Sequence, residues 1–374
     1  MVRVPFGLSA GSIRTLLRRT AAATFSLAIF ASAAAHAETK TFAVSWFHNA
    51  TYYGGPNDCP DGLNEKAIDF YKRELLQSGK TQKEIDEVFA DFPGNGTLKR
   101  PWQSYVVVRG NGKDNVYAHP DTLPDTGHLK LIGSKLAYGF NLDGKDGPED
   151  FEEADTHEKG VDNEVYRVTG CIRTYVGGPP PYRPTWPSQN WEILRDQAPA
   201  WLISITTEKG SNEVTLKIDR ALERVTRDAT SEVRANMTFR VDPDPRSHNV
   251  IHGKIENGVI VTDPTDIRIV ADVRLNPDFR FSKARLRLQM TPEGNLKGIL
   301  GGYEYWYPIY TVLAIRAQAF EFPTSINLPM LYHGLKKHAD ADPDPATGQN
   351  RQISTAYVVE AVPAFIAPGP VASK

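Results

Sequence analysis

The chain has 374 residues, with 43 Lys and Arg set against 45 Asp and Glu for a formal charge of −2. That balance excludes the strong basic excess of a general nucleic-acid binder. Gly and Pro number 29 and 27, which suits many turns and strands more than long helices.

Residues 1–37 have the three parts of a cleavable secretory signal peptide. Arg3, Arg14, Arg18 and Arg19 form a positive start, Ala21 to Ala35 is an uncharged apolar stretch, and Ala35-His36-Ala37 is a small-residue cleavage site. The apolar run, about 15 residues, is too short for a helix across roughly 30 Å of hydrocarbon, and no other segment is long enough for a membrane span. Arg18-Arg19 raises the twin-arginine route, but Thr20-Ala21-Ala22 lacks the bulky apolar pair that usually follows. The expectation is a periplasmic or secreted protein that starts near Glu38. Removing 37 of 374 residues leaves 337, and because the leader holds four Arg and no acid, the remainder carries −6. Cys59 and Cys171 are the only cysteines, and in an oxidising compartment they predict one disulfide.

Thr41 to Phe47 predicts a first strand. Asn64 to Gln77 has the apolar spacing of a helix, and Thr81-x-x-Glu84 is a capping box for a second, short one. Pro93-Gly94-Asn95-Gly96 then turns the chain. Trp102 to Arg109 (WQSYVVVR) reads as a strand, and regular structure is sparse from there to Trp201. The Pro-rich stretch Gly177 to Pro187 marks a candidate boundary. From Trp201 the pattern becomes period-two alternation, through Val214, Leu216 and Ile218, then Ala235, Met237 and Phe239, then Ala284, Leu286, Leu288 and Met290. Asn257-Gly258 is a two-residue hairpin signature, and Thr291 to Asn295 is another turn. Pro308 to Phe320 and Thr324 to His338 predict helices, followed by a polar loop, a last strand over Ser354 to Phe365 and a disordered-looking tail from Pro368.

The fold class expected is mainly β with some α: an antiparallel β-sandwich or meander with a loop-rich N-terminal part and C-terminal helices. The segments are 1–37 as leader, 38–190 as a loop-rich region with two helices and an acidic loop, 191–305 as the antiparallel β domain, and 306–374 as C-terminal helices, Asp-rich loop, last strand and tail.

The densest chemical signal is Asn141 to Asn163, where carboxylates crowd a Gly-punctuated stretch. Such a group repels itself unless something positive sits within it, and calcium, with six to eight oxygen ligands, suits that role. Candidate ligands are Asn141, Asp143, Asp146, Asp150 and Asp162. Lys145 stands where an EF-hand would have an oxygen, so this is a looser Asp-rich loop. A second candidate set is Asp340, Asp342, Asp344 and Asn350, with three Asp at spacing two before Gly348. The bland reading of both is a solvated turn. Asp242-Pro243-Asp244-Pro245 reads as a loop.

Zinc needs clustered His or Cys. His333 and His338 are five apart and face different sides of a helix, and the other histidines are scattered. There is no G-x-S-x-G elbow, no S-x-x-K and no Gly-rich phosphate motif. Lys283, Arg285 and Arg287 form a basic strip that reads as a solvated sheet face or a site for an anionic polymer. Tyr303, Tyr305 and Tyr307, interleaved with Glu304 and Trp306, pack a sheet face or form a sugar-stacking platform.

At Leu142-Asp143-Gly144, Gly160-Val161-Asp162-Asn163, Gly170-Cys171, Gly301-Gly302-Tyr303 and Ala361-Val362-Pro363-Ala364-Phe365 the chain resembles a family of exported proteobacterial proteins over most of its mature length. That family carries no assigned activity, so the resemblance transfers no catalytic residue. It implies that the acidic loop is a feature of the fold. The leading functional expectation is an exported, calcium-type cation-binding protein that also binds a ligand or partner. The alternative is a hydrolase acting on polysaccharide or a related polymer through carboxylates of the 143–162 loop. A role in envelope assembly is a third.

Overall fold

The alternating strands that begin at Trp201 do not stack into two sheets; they form most of a closed barrel. In a computed structural model the chain is described over residues 37–90, 92, 100–179, 182–208, 210–271 and 278–368. The leader reading, the turn at Pro93 to Gly96 and the tail beyond Pro368 fall outside the described residues.

The N-terminal half contains β1 (Glu38–Asn49), α1 (Ala67–Gln77), α2 (Gln82–Val88), α3 (Arg100–Val106), β2 (Leu136–Ala137), β3 (Phe151–Glu153), β4 (Lys159–Val161), α4 (Glu164–Thr169) and α5 (Thr185–Gln197). The strands β5 (Trp201–Thr207), β6 (Glu213–Arg220), β7 (Met237–Phe239), β8 (His248–Glu256), β9 (Val259–Thr262), β10 (Thr265–Ile269), β11 (Phe279–Met290) and β12 (Leu296–Tyr305) follow. Then come α6 (Trp306–Ala314), α7 (Gln318–Thr324), α8 (Leu328–His338), β13 (Ala341–Pro343) and β14 (Asn350–Ile366).

Eight of these strands pair antiparallel in the cyclic order β1-β5-β6-β8-β9-β11-β12-β14, and β14 pairs back onto β1. The expected sandwich or meander is therefore corrected to a closed eight-stranded antiparallel barrel, with β7, β10 and β13 added to its wall. The reason lies in strands remote from the alternating segment. Residues 201–305 supply six of the eight; β1 and β14 supply the closure. Glu38–Ala43 of β1 binds β5 while Thr41–Asn49 binds Tyr357–Ala364 of β14, so β1 has no free edge. Closure removes exposed strand edges altogether.

The barrel interior is filled by alternate side chains, among them Leu216, Ile251, Leu286, Leu288, Leu296 and Leu300. A bulge between Val44 and Trp46 shifts the phase of β1, so that Phe42, Val44 and Phe47 all join this core. Met290, in phase with the buried Leu288, runs past the barrel end and is exposed.

Asn257 and Gly258 take left-handed backbone angles in the β8–β9 hairpin, as the sequence predicts. Thr81 and Glu84 form the reciprocal cap of α2. Cys59 and Cys171 are joined by a disulfide, Cα–Cα 5.7 Å. Three local expectations are corrected. Trp102 to Arg109 is not a strand: α3 places Trp102 and Val106 on one buried helical face against Phe70, Tyr71 and Ile85, and that packing overrides the β preference of the Val run. The supposedly sparse segment before Trp201 contains the 13-residue α5, whose Pro187 lies in the first turn where its missing N–H costs nothing. The helix expected over Pro308 to Phe320 is two, α6 and α7, broken where Ala317 adopts φ 46°.

Candidate functional site

At the end of the barrel where β1 and β12 finish and β11 starts, the packed interior gives way to a cavity of about 390 Å3. Its floor is aromatic. Phe47 stacks on Tyr357 at 4.6 Å, and Phe279 meets both edge-on, at 5.4 Å and 5.8 Å. Helices α4, α5, α6 and α8 cover it, contributing Thr169, Trp186, Trp191, Ile309, Val312 and Leu331. A mostly apolar wall with a few fixed polar groups is the usual makeup of a small-molecule site.

Glu304 is the unusual wall residue. It lies on β12 in phase with the inward-facing Leu296 and Leu300 and is only 7% exposed. Tyr357 donates its hydroxyl to Glu304 Oε2 at 2.7 Å. Among the described residues Oε1 has no partner, and no cation pairs with the carboxylate. Burial raises this carboxyl to about 7, against the smaller opposing effect of the Tyr357 hydrogen bond. Burial and then the Glu304 charge push the Tyr357 hydroxyl well above the ordinary tyrosine range.

The remaining polar groups of the wall are mostly committed. Asp278 accepts from Arg268 Nε at 2.7 Å and again from its Nη2. Trp191 donates to the Ser45 carbonyl at 2.7 Å, and Thr169 to the Val165 carbonyl at 2.7 Å. His48 lies 2.9 Å from the Asn49 carbonyl through Nδ1 and 3.2 Å from Arg183 Nη1 through Nε2. Burial lowers its imidazole to about 4, so it is neutral near pH 7, and the network assigns the proton to Nδ1. Asn190 and Tyr175, also on the wall, make no side-chain hydrogen bond among the described residues.

The predicted cation ligands lie elsewhere, and none of them lines this cavity. Asn141 accepts from Gly144 N at 2.7 Å and donates to the carbonyls of Lys145 and Lys159. Asp143 accepts from Lys145 N at 2.8 Å and from its ammonium at 2.7 Å. Asp150 accepts from Gly147 N at 2.5 Å, and Asp162 from Leu142 N at 2.7 Å. Asp146 is exposed. In the second set Asp340 accepts from Ser354 N, Asp342 from Arg351, Asp344 from the backbone of Ala346 and Thr347, and Asn350 donates to the Ala339 carbonyl. Some of these are turns that cap themselves; Asp162, Asp340 and Asn350 instead tie their loops to backbone 20, 14 and 11 residues away, and Asp342 takes the Arg351 guanidinium. Among the described residues no three His, Cys, Asp or Glu side chains group so as to hold a metal ion. The two segments do converge: the charges of Asp162, Asp340, Asp143 and Asp150 reinforce burial in raising the Tyr303 hydroxyl.

The positive charge the acidic loop calls for is the basic strip. Arg285 and Arg287 flank the ring of Phe140, each guanidinium 5.0 Å from its centre. Arg287 donates to the fully buried Glu153 at 2.5 Å, and Arg285 to the Asn141 carbonyl at 3.3 Å. Two glycines of the resemblance motifs permit this seat. A Cβ on Gly301 would lie 2.6 Å from Phe140, and one on Gly160, at φ 73°, would lie 1.9 Å from the Lys145 carbonyl. The strip is thus largely a covered wall; only Lys283 of the three is fully exposed.

Of the tyrosine run, Tyr303 is buried under the acidic loop, and Tyr305 and Tyr307 are exposed at the cavity end. His333 and His338 are held by the Leu123 carbonyl and Glu164. Sequence reasoning passed over Glu304 and Tyr357. A signal existed, because an acid in phase with Leu296 and Leu300 is a charge at an inward position. The fold and site together define the class: a closed barrel with an aromatic mouth cavity and one uncompensated acid. No protein-family model, curated protein or solved structure matches the chain.

Proposed function

We propose that this is an exported binding protein whose barrel mouth holds a small, largely apolar molecule, positioned by a hydrogen bond to Glu304. The observation that carries the reading is the 390 Å3 aromatic cavity with a buried carboxyl, one of whose oxygens has no partner among the described residues. Proteins keep such a group where a ligand completes it, since burying it unpaired costs stability. Export is supported by the leader pattern and by the disulfide, which belongs to oxidising compartments. Glycoside hydrolysis by a carboxylate pair needs a second free acid on the wall, and Asp278 is occupied by Arg268.

The test is a titration with N-phenyl-1-naphthylamine, an uncharged apolar fluorophore, following its emission and the quenching of Trp186 and Trp191. Saturable binding is expected in the native protein and its loss in Val312→Trp and Asn190→Trp, each of which fills the cavity from a different helix. Unchanged binding in both folded variants overturns the reading.

A further inference from the structure

The mouth cavity carries more information than its apolarity, because the carboxylate of Glu304 has no counter-charge in its buried part among the described residues. We infer, building on the binding role proposed above, that the ligand is an organic cation: an apolar or aromatic body bearing a protonated amine that meets the Glu304 carboxylate within the aromatic cage.

Among the described residues, the groups that face Glu304 in the buried part of the wall leave its carboxylate without a counter-charge; the cation Arg280 and the hydroxyl of Tyr305 stand at the exposed rim. From β1, His48 is neutral near pH 7, and the Arg183 behind it is spent on Glu360 through two contacts of 2.8 Å and 2.9 Å. At the start of β11, Asp278, just before the strand, is neutralised by Arg268, while Arg280 on it is exposed at the rim. From β14 and the segment after α4, Tyr357 and Tyr175 are held in their neutral forms by burial. Helices α5, α6 and α8 bring no charged side chain to the wall. Among the described residues that leaves Glu304 as the uncompensated charge in the buried part of the cavity wall. A ligand carboxylate would be repelled, and a neutral ligand would leave the charge unpaired. An ammonium supplies the missing counter-charge. The rings of Phe47, Trp186, Trp191, Phe279 and Tyr357 suit it further, since an aromatic face attracts a cation and does so more strongly where water is excluded.

Glu304 titrates at about 7, so binding of an ammonium competes with a proton and weakens as pH falls below that value. The probes are 1-naphthylmethylamine, protonated throughout the range used, and the uncharged 1-naphthalenemethanol of nearly the same shape, measured by calorimetry at pH 8 and pH 5.5. The amine is expected to bind about tenfold tighter than the alcohol at pH 8, a difference of roughly 1.4 kcal/mol. That advantage should largely vanish at pH 5.5 and in Glu304→Gln. Equal binding of the two at pH 8, or tighter binding of the alcohol, overturns the cation inference and leaves the cavity reading standing. Failure of both probes to bind overturns both. If Glu304→Gln does not fold, the pH arm on the native protein decides alone.

Discussion

The guanidinium of Arg109 meets the carboxylate of Glu321, 212 residues further along the chain, at 3.0 Å, and neither side chain has any solvent contact. Arg109 also donates to Glu74 at 2.6 Å, and Tyr117 and Tyr71 donate to Glu321 at 2.5 Å and 3.0 Å. This buried network ties α1 and α7 to the turn after α3. Removing its only fully buried cation leaves the Glu321 carboxylate in the core without a counter-charge, while Glu74 keeps Arg73 at 3.2 Å. Arg109→Met should therefore lower stability by about 3–5 kcal/mol, read as the midpoint of urea unfolding. A loss under about 1 kcal/mol, the scale of an exposed pair, would contradict this account.

The Cys59–Cys171 bridge spans 112 residues and fixes the segment after β1 to the end of α4, beside the mouth. In the chain-entropy view a loop of that size is worth on the order of 4–5 kcal/mol. Replacing both cysteines with Ala, or adding reductant, should lower the melting temperature substantially. An unchanged melting curve would show that the bridge constrains little.

Arg287 reaches Glu153 and Glu158 of the acidic loop, and Asp143, Asp150, Glu153 and Asp162 accept from backbone N–H groups. Arg287→Met should destabilise by about 2–4 kcal/mol, because Glu153 is buried without a counter-charge once the guanidinium is gone. Calcium in excess of chelator should leave the melting temperature of the native protein unmoved. A rise with calcium would show a ligand selective for the folded state.

Glu304 also predicts a pH signature. Its native value, about 7, lies above the ordinary 4.5, so the folded state binds this proton more tightly. The group's stabilising contribution is full below about 4.5 and is lost as pH rises through 7. Glu304→Gln removes that loss. The variant should be more stable than the native protein by about 3 kcal/mol at pH 8, with the gap closing towards pH 4.5. A gap that does not change with pH would mean that the carboxyl is not desolvated. The stability gained on losing a residue is the mark of one kept for function.

What the sequence made legible was local. The Thr81–Glu84 cap, the Asn257-Gly258 hairpin, the cysteine pair and the last strand are each specified by neighbouring residues. What it hid was relational. Barrel closure depends on Thr41 meeting Ala364 across the whole chain, and no local alternation encodes that. The acidic loop was visible, but the Arg287 that reaches its Glu153 lies on β11, more than a hundred residues away. Phe47 enters the core through a bulge that breaks the period-two count. Glu304 was readable by phase alone, but its importance depends on the Tyr357 partner and on helices that cover the mouth.

The central claim, that the barrel mouth is where this protein binds its ligand, is tested most directly by a crystal structure grown with N-phenyl-1-naphthylamine. The account predicts the probe inside the mouth cavity, in van der Waals contact with Phe47 and Trp191 and with its amine within hydrogen-bond reach of Glu304. A cavity left empty while the probe sits elsewhere on the molecule would contradict it.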